Sequence, residues 1–385
     1  MALVIPVEIC HMVVDQVATV ERDYSLCDIF PYALKQSARS ELKTLRLVSR
    51  NFCAAASSHL FKHIVAPADS SIRGRNSLQR LAEISRSKYS AHVRHLETGY
   101  CRWPSYHSTS FGQDIQDLAG LLSLCLAQLS NLRVLKFRAS SESLTREQES
   151  TAIRAIVSTL RYVALPRLEG LELFFPVAHD FKCFFSSGST SLHIPMENIL
   201  RRLKYLGLHV TAYTQERGQR YWGTPVLPAH AALPNDLHAA HLLSTDVLPF
   251  GIIRFSPALR LTSLRLVRIL IRFDHFRALI DQCKDHLKHI ELCLVQLQSG
   301  TWHAVLTQLR QLPYLIDVCI NSCGYPATGP NAHLAGILPE PDDPKPLETM
   351  NFADHEGLYE LKEFVNANRV TLGLDPFEST DSRWY

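Results

Sequence analysis

Histidine and cysteine are the side chains in this sequence best suited to chemistry, and the chain carries 18 histidines and 10 cysteines. A structural zinc site usually needs two ligand pairs at short spacing. His238 and His241 lie close together with His230 nearby, yet no acidic residue or cysteine stands at a ligand spacing from them. Cys319 and Cys323 form a Cys-x-x-x-Cys pair without a second pair. We therefore predict no metal site from these residues.

A weaker candidate for chemistry is the stretch HVRHLETGYCRWPSYH, which holds His92, His95, Cys101 and His107. Their irregular spacing fits no common metal site. The polar segment SSGSTS at 186–191 lacks the lysine and second glycine of a phosphate-binding loop, and no Gly-x-Ser-x-Gly nucleophile motif occurs. The sequence therefore predicts a protein that is not an enzyme and that has no metal or other cofactor.

Length, charge and hydrophobicity exclude further classes. With 385 residues, 46% of them hydrophobic and 20% charged, the chain can bury a large core in two units or one elongated stack. A net charge of +3 is too balanced for a nucleic-acid binder, and no stretch reaches the roughly 18 apolar residues of a membrane span. Pro6 and Glu8 interrupt the start where a signal peptide would be apolar, and the cysteines are too scattered for a disulfide framework. We expect an intracellular protein, in the cytoplasm or nucleus, that binds neither nucleic acid nor membrane.

A short apolar pattern recurs through most of the chain. The pattern is apolar-x-x-apolar-x-apolar, and its copies are VRHLET (93–98), LRVLKF (132–137), LEGLEL (168–173), LKYLGL (203–208), LTSLRL (261–266), LKHIEL (287–292) and LIDVCI (315–320). This spacing is typical of a short strand whose alternate side chains point inward. Segments 114–129, 146–163 and 273–283, which lie between copies, have a helical period. Alternating strands and helices predict an α/β fold: an irregular leucine-rich-repeat-like solenoid with a curved parallel sheet.

Proline marks the expected boundaries of this repeat region, which we place at 67–323. Within it, segment 213–258 carries five prolines and is predicted to be an insert. The remainder, 324–385, begins with a second proline-rich stretch and contains EGLYELKEFVNANR, which we predict to be a helix capping the repeats. The first 66 residues are predicted to form a small helical module.

Side chains between the inward leucines would point to the open side of such a stack, which makes them candidates for binding a target. They include Lys136, Arg138, Glu172, Phe174, Tyr205, Arg265 and Glu291. Their mixed charge suits a protein surface better than a nucleic-acid surface. Ordinary solvated strand positions would give the same pattern, and the insert with Tyr221 and Trp222 is a competing recognition surface.

Two helices are predicted in the N-terminal module. The first covers 5–18, where Pro6 suits the first helical turn. The second covers 42–64 and carries an apolar stripe formed by Leu42, Leu45, Val48, Phe52 and Ala56. Leu47 falls outside this stripe. Either another protein covers Leu47 or it packs on the first repeat, and the helical pattern leaves both open.

These two segments together resemble an F-box. IPVEI at 5–9 is similar to the Leu-Pro-x-Glu-Ile opening of that family, and the second helix follows the form Leu-x-x-Leu-x-x-Val-(Cys/Ser)-(Arg/Lys)-x-(Phe/Trp). The matching positions are Leu42, Leu45, Val48, Ser49, Arg50 and Phe52. The HLFKHI ending looks like that of fungal members, and the repeats behind it are similar to the leucine-rich-repeat tails of F-box proteins. The interval from Val20 to Ser40 is longer than the usual linker of the family.

The resemblance implies that the module docks on a Skp-type adaptor and, through it, joins a cullin. The residues it assigns to adaptor binding are Ile5, Pro6, Ile9, Leu42, Leu45, Leu47, Val48 and Phe52. It further implies a substrate-recognition subunit of an SCF-type cullin-RING ubiquitin ligase, which brings an unknown protein substrate close to the ligase. The long interval after the first helix keeps open an alternative, a repeat-based interaction scaffold without ligase coupling.

Overall fold

The computed structural model describes residues 5–18, 20–21, 33–67, 72–99, 111–139, 145–176, 181, 199–210, 260–326, 329–336 and 345–378. The chain divides into two compact units. The first comprises Met1–Leu173 and Ser189–Leu203, and the second comprises Phe174–Gly188 and Lys204–Tyr385. The expected insert at 213–258 lies outside the described residues.

The first unit begins with a helical module. Its elements are α1 (Val7–Val17), β1 (Val20–Glu21), β2 (Ala33–Leu34), α2 (Gln36–Leu45) and α3 (Arg50–Leu60). The short strands β1 and β2 pair antiparallel, which brings the two ends of the long interval together. In α1 the buried positions are Cys10 and Val14, whereas Ile9 and Val13, which repeat at the same interval of four, face outward.

The expected single helix at 42–64 is wrong, because the chain breaks between α2 and α3. Ser49 adopts an extended backbone and its hydroxyl accepts a hydrogen bond from the Phe52 amide, which makes Ser49 the N-cap of α3. Serine is among the best N-cap residues because its side chain satisfies an amide that the helix leaves unpaired. Leu47 and Val48 therefore lie on a turn, and His63, expected at the end of the helix, begins a strand.

Parallel strands follow the module within the first unit. The elements are β3 (His63–Pro67), α4 (Ile72–Arg86), a 3-10 turn (Lys88–His92), β4 (His95–Gly99), α5 (Phe111–Gln128), β5 (Val134–Arg138), α6 (Arg146–Tyr162) and β6 (Gly170–Phe175). Strands β3, β4 and β5 pair in parallel, and β6 lies beside β5. The boundary between the units falls within β6.

The second unit contains two parallel sheets. The elements are β7 (Tyr205–Val210), β8 (Ser263–Val267), β9 (Leu270–Arg272), α7 (Phe273–Cys283), β10 (His289–Cys293), β11 (Gln296–Ser299), α8 (Trp302–Leu309), β12 (Asp317–Asn321), β13 (Cys323–Gly324), a 3-10 turn (Ala332–Leu334), β14 (Leu347–Glu348) and α9 (Phe352–Thr371). One sheet has the order β7-β8-β10-β12 and the other β9-β11-β13-β14. Between β8 and β9, β10 and β11, and β12 and β13, a residue with positive φ turns the chain: Arg268, Leu294 and Ser322.

Several expectations about the repeat region are confirmed. Each of the seven apolar copies contains a parallel-sheet strand, and the three expected helices are α5, α6 and α7. The fold class is therefore α/β with parallel sheets. The helix expected near the carboxyl end is also present as α9. The sequence reading missed β3 and the whole second sheet.

Helix α9 packs tightly on α8. A Cβ at Gly357 would lie 3.1 Å from His303 Nδ1 and 3.3 Å from Leu306 Cδ1, so the lack of a side chain there permits the close approach. Arg310 of α8 forms an ion pair with Glu360 of α9. Asn368 and Arg369 near the end of α9 donate to the carbonyls of Leu315 and Ile316, at the start of β12.

A buried carboxylate fixes the start of both helices. Asp354 is fully buried and accepts hydrogen bonds from the His303 amide, the Tyr325 hydroxyl, the Thr349 hydroxyl and the Asn351 amide group, at 2.8 to 3.1 Å. The His303 amide belongs to the first turn of α8, where backbone donors have no partner within the helix. Asp354 thus joins α8, α9 and the segment between them.

We predict that Asp354→Ala lowers the free energy of unfolding by about 2–4 kcal/mol, because four donors lose their common acceptor inside the protein. Urea unfolding followed by circular dichroism measures the change. Glu356→Ala, at an exposed position two residues along the same helix, is the control and should change stability by less than about 0.5 kcal/mol. Equal losses in the two variants would contradict this role for Asp354.

Candidate functional site

The N-terminal module has a hydrophobic core of its own. The buried residues of this core are Cys10, Val14, Leu42, Phe52, Ala55 and Ala56, with Val17, Leu34, Leu45 and Leu60 packed against it. A contact of 2.9 Å between His59 Nε2 and a carboxylate oxygen of Asp15 joins α1 to α3. Among the expected adaptor-binding residues, Leu42 and Phe52 therefore lie inside the module and Leu45 lies partly inside. These side chains pack in the core beneath the exposed residues of the module and have little accessible surface for a partner to contact.

The remaining expected residues lie on the outside. We name as the docking surface the exposed apolar residues of α1 and of the turn before α3: Ile5, Pro6, Val7, Ile9, Met12, Val13, Leu47 and Val48. Leu47 is 87% exposed and Val48 61%. Asn51 Nδ2 donates to the Ile5 carbonyl at 3.4 Å, which places the start of α1 beside the first turn of α3. The alternative in which Leu47 packs on the first repeat is wrong.

The module is attached to the repeats of its own unit by a stacked cluster. Phe61, just after α3, stacks on Tyr89 of the first 3-10 turn with ring centroids 4.5 Å apart. The Arg46 guanidinium lies 5.4 and 5.5 Å from the two ring centroids, and its Nη2 donates to the Tyr89 hydroxyl at 3.3 Å. Because an arginine held over aromatic rings loses much of its freedom, this cluster limits movement of the docking surface relative to β3 and β4.

Each unit has a polar strand face of its own as a further candidate surface, and we define each face by the target-binding residues expected from sequence in that unit. In the first unit these are Lys136, Arg138 and Glu172. Lys136 Nζ lies 3.9 Å from Glu97 Oε1 and 3.5 Å from Glu172 Oε2, so one cation bridges carboxylates of β4 and β6. Glu172 is buried, whereas Lys136 and Arg138 keep part of their surface.

In the second unit the corresponding residues are Phe174, Tyr205, Arg265 and Glu291. Arg265 Nε lies 3.0 Å from Glu291 Oε1, and the two residues are direct partners across β8 and β10. Phe174 stacks on His209 at 4.0 Å between ring centroids, and both are buried, as is Tyr205. Arg265 and Glu291 therefore keep part of their surface while paired with each other, whereas Phe174 and Tyr205 have little accessible surface.

Two histidines occupy neighbouring places at the start of β3 and β4. His63 and His95 are direct partners across the strands, with ring centroids 6.4 Å apart. Burial lowers the pKa of His63, and burial together with the nearby His63, Lys62, Arg133 and Arg94 lowers the pKa of His95 to about 3. Both imidazoles are therefore neutral at pH 7.

The described part of the chain contains no candidate metal site. No group of three or more histidine, cysteine, aspartate or glutamate side chains there could hold a metal ion. Burial raises the pKa of the Cys283 thiol to about 12 and raises that of Cys323 further. His230, His238, His241, Cys101 and His107 lie outside the described residues. Within the described ranges, no helix is both long and apolar enough to cross a bilayer.

The sequence contained one signal for the missed strand β3. Lys62, His63 and Ile64 repeat the Lys-His-Ile of 288–290, and both triplets begin a strand of a parallel sheet at the same place. The contact of Arg46 with the stacked rings of Phe61 and Tyr89 had no such signal in the sequence, because its partners lie up to 43 positions away.

The sequence matches no protein-family model and no curated protein. A function is therefore inferred from the docking surface and the polar strand faces.

We predict that acid weakens the fold through His95. An unfolded histidine has a pKa near 6.5, so as the pH falls the unfolded chain binds the proton before the folded chain does. The stabilisation is complete above pH 6.5 and decreases toward pH 3 by roughly 1.4 kcal/mol per pH unit. Between pH 7.5 and 4.5 the wild type should lose about 2.7 kcal/mol more than His95→Gln, measured by urea unfolding.

His286→Gln is the matched control for this prediction, because His286 is exposed in the turn after α7. Its pH dependence should equal that of the wild type. If His95→Gln also behaved like the wild type, the loss of stability in acid would have to come from other groups.

Proposed function

We propose that this chain is the substrate-recognition subunit of an SCF-type cullin-RING ubiquitin ligase. The observation that carries the proposal is the exposure of Leu47, Val48, Ile5 and Ile9, together with the rest of the docking surface, on a small module that has a hydrophobic core of its own. Apolar side chains grouped on a folded surface commonly mark a site where another protein docks. The occupant proposed here is a Skp-type adaptor.

The way the module divides its apolar residues supports an adaptor as the occupant. The segments that resemble an F-box contribute Leu42 and Phe52 to the core and leave Pro6, Ile9 and Leu47 outside. A module of that family must do both, since it has to fold and still present an apolar face. The match of sequence and the exposure pattern are independent observations, and both favour the same partner.

A fixed connection between the module and the repeats supports the role of a bridge. The module and strands β3 to β5 belong to one compact unit, and Arg46, Phe61 and Tyr89 stack at their junction. A subunit that recruits substrates acts by holding the target close to the ligase, so its own residues need no catalytic chemistry. A stiff link raises the effective concentration of the target more than a loose one does.

We further propose that the repeats are leucine-rich-repeat-like and that the polar strand face of each unit is a surface that binds target protein. The accessible members of these faces are Lys136 and Arg138 in the first unit and Arg265 and Glu291 in the second. Cations and carboxylates side by side on a strand surface favour a polar protein partner and set its orientation. Phe174, Tyr205 and Glu172 act as supports because they are buried.

The alternative is a repeat scaffold without ligase coupling, which the long interval after α1 suggested. The pairing of β1 with β2 weakens the case for this alternative, because it brings two parts of the long interval together. Helix α2 still contributes Leu42 to the core that α1 and α3 share. Residues 22–32 of the interval lie outside the described part of the chain.

We predict that Ile9→Asp combined with Leu47→Asp weakens binding to a purified Skp-type adaptor at least tenfold, because two charges enter an apolar interface. Isothermal titration calorimetry measures the affinity. The thermal midpoint should stay within about 2 °C of the wild type, since both side chains are exposed and contribute little to the core.

Leu124→Asp is the matched control, because Leu124 is also a leucine on the surface, 60% exposed on α5 and outside the docking surface. It should bind the adaptor as the wild type does. A wild-type protein that folds but shows no adaptor binding at tens of micromolar would favour the scaffold. Size-exclusion chromatography distinguishes a second copy of this chain as the occupant of the docking surface.

A further inference from the structure

Cations precede three neighbouring strands of the first unit. Lys62, Arg94 and Arg133 are the residues directly before β3, β4 and β5. The Lys62 carbonyl accepts the amides of Arg94 and His95, and the Arg94 carbonyl accepts the amides of Arg133 and Val134, all at 2.7 to 3.0 Å. These hydrogen bonds align the three backbones at the spacing of neighbouring strands, about 4.8 Å.

The three side chains bring positive charges close together at one edge of the unit. Lys62, Arg133 and Arg167 are exposed and Arg94 is half-buried. Burial, together with the positive charges of Arg133 and Arg167, lowers the pKa of Arg94. The fourth place in the row, before β6, belongs to Glu169. We call Lys62, Arg94, Arg133 and Arg167 the basic row.

This arrangement leaves like charges next to each other, which costs stability in a sheet. Arg94 Nη1 is buried and, within the described part of the chain, has no hydrogen-bond partner. An anion placed along the row would offset the repulsion and supply acceptors for the exposed donors of Lys62, Arg133 and Arg167. Lys136 and Arg265, in the middle of their strands, contact carboxylates of neighbouring strands. In the row that precedes the strands, the one neighbouring carboxylate in the described part is Glu169, next to Arg133.

We propose that the basic row binds an acidic segment of a partner protein. Carboxylates on one side of an extended chain are about 6.6–6.8 Å apart, so two or three acidic residues would span the roughly 10 Å from Lys62 to Arg133. Arginine binds carboxylates with paired hydrogen bonds, which gives the contact direction as well as affinity. The inference does not require adaptor docking, and the basic row shares no residue with the docking surface.

A nucleic acid is the less favoured occupant. Specific and non-specific nucleic-acid sites commonly neutralise about 6–10 phosphates, whereas this row offers four cations. The whole chain carries a net charge of only +3, so no wide positive field extends the row. A short acidic segment matches a row of this length.

Fluorescence anisotropy with a labelled hexaglutamate peptide and the full chain tests the proposal. The wild type should bind the peptide, and the affinity should fall as salt is raised because the contacts are between charges. Arg133→Glu should weaken binding at least fivefold. Arg133→Gln removes the charge without reversing it, so it should lose less affinity for the peptide. It replaces Arg133→Glu as the test if the Glu variant does not fold.

Lys288→Glu is the matched control. Lys288 directly precedes β10. Its carbonyl accepts the amides of Ile316 and Asp317, just as the Arg94 carbonyl accepts two amides from the start of the next strand. The residues that flank Lys288 at the starts of β8 and β12 are Thr262 and Ile316, and neither is a cation. Peptide binding should therefore be unchanged in this variant.

Three results would overturn the proposal: no binding of hexaglutamate by folded wild type, an equal loss in Lys288→Glu and Arg133→Glu, or tighter binding of a single-stranded oligonucleotide of equal charge. The last result would assign the row to nucleic acid. Adaptor affinity measured on Arg133→Glu should equal that of the wild type, so failure here leaves the proposed function untouched.

Discussion

The parallel strands of both units depend on one repeated backbone contact. The carbonyl of the residue before a strand accepts two amides from the start of the next strand, as at Lys62, Arg94 and Arg133 in the first unit and at Lys204, Thr262 and Lys288 in the second. Each carbonyl uses both of its acceptor positions, so the register cannot slip without losing two hydrogen bonds at once. With the register fixed, the inward leucines of neighbouring strands meet in the core and the intervening polar residues form rows.

Because of these rows, charged side chains have neighbours of opposite sign at some places on the sheets and of like sign at others. In the middle of the strands, neighbouring side chains have opposite sign, so Lys136 bridges Glu97 and Glu172, and Arg265 meets Glu291. Such pairs bring two or three side chains into fixed positions and leave little free charge. At the start of β3 to β5 the same register brings Lys62, Arg94 and Arg133 together, and the repulsion that results is what makes this edge suited to an acidic partner.

The N-terminal module shows how one local feature decides which apolar residues remain outside. Because Ser49 caps α3, the chain turns at 46–48 and Leu47 cannot follow Leu42 into the core. The same turn directs Arg46 toward Phe61 and Tyr89, which fastens the module to the repeats. Exposure of the docking surface and its fixed attachment to the repeats therefore have a common cause, and the receptor function proposed above would need both.

The sequence by itself determined the elements that have a local period. Seven strands and helices α5, α6, α7 and α9 follow from apolar residues that recur at fixed short intervals, since burial of one face imposes that pattern wherever the element lies. Only the tertiary structure decided the contacts between distant residues. Strands β9, β11, β13 and β14 are two to four residues long, too short for a period, and they exist because neighbouring repeats present the matching edge. The donors to Asp354 and the neighbours in the basic row come from positions up to tens of residues apart, and they meet because packing sets the register, which no local pattern encodes.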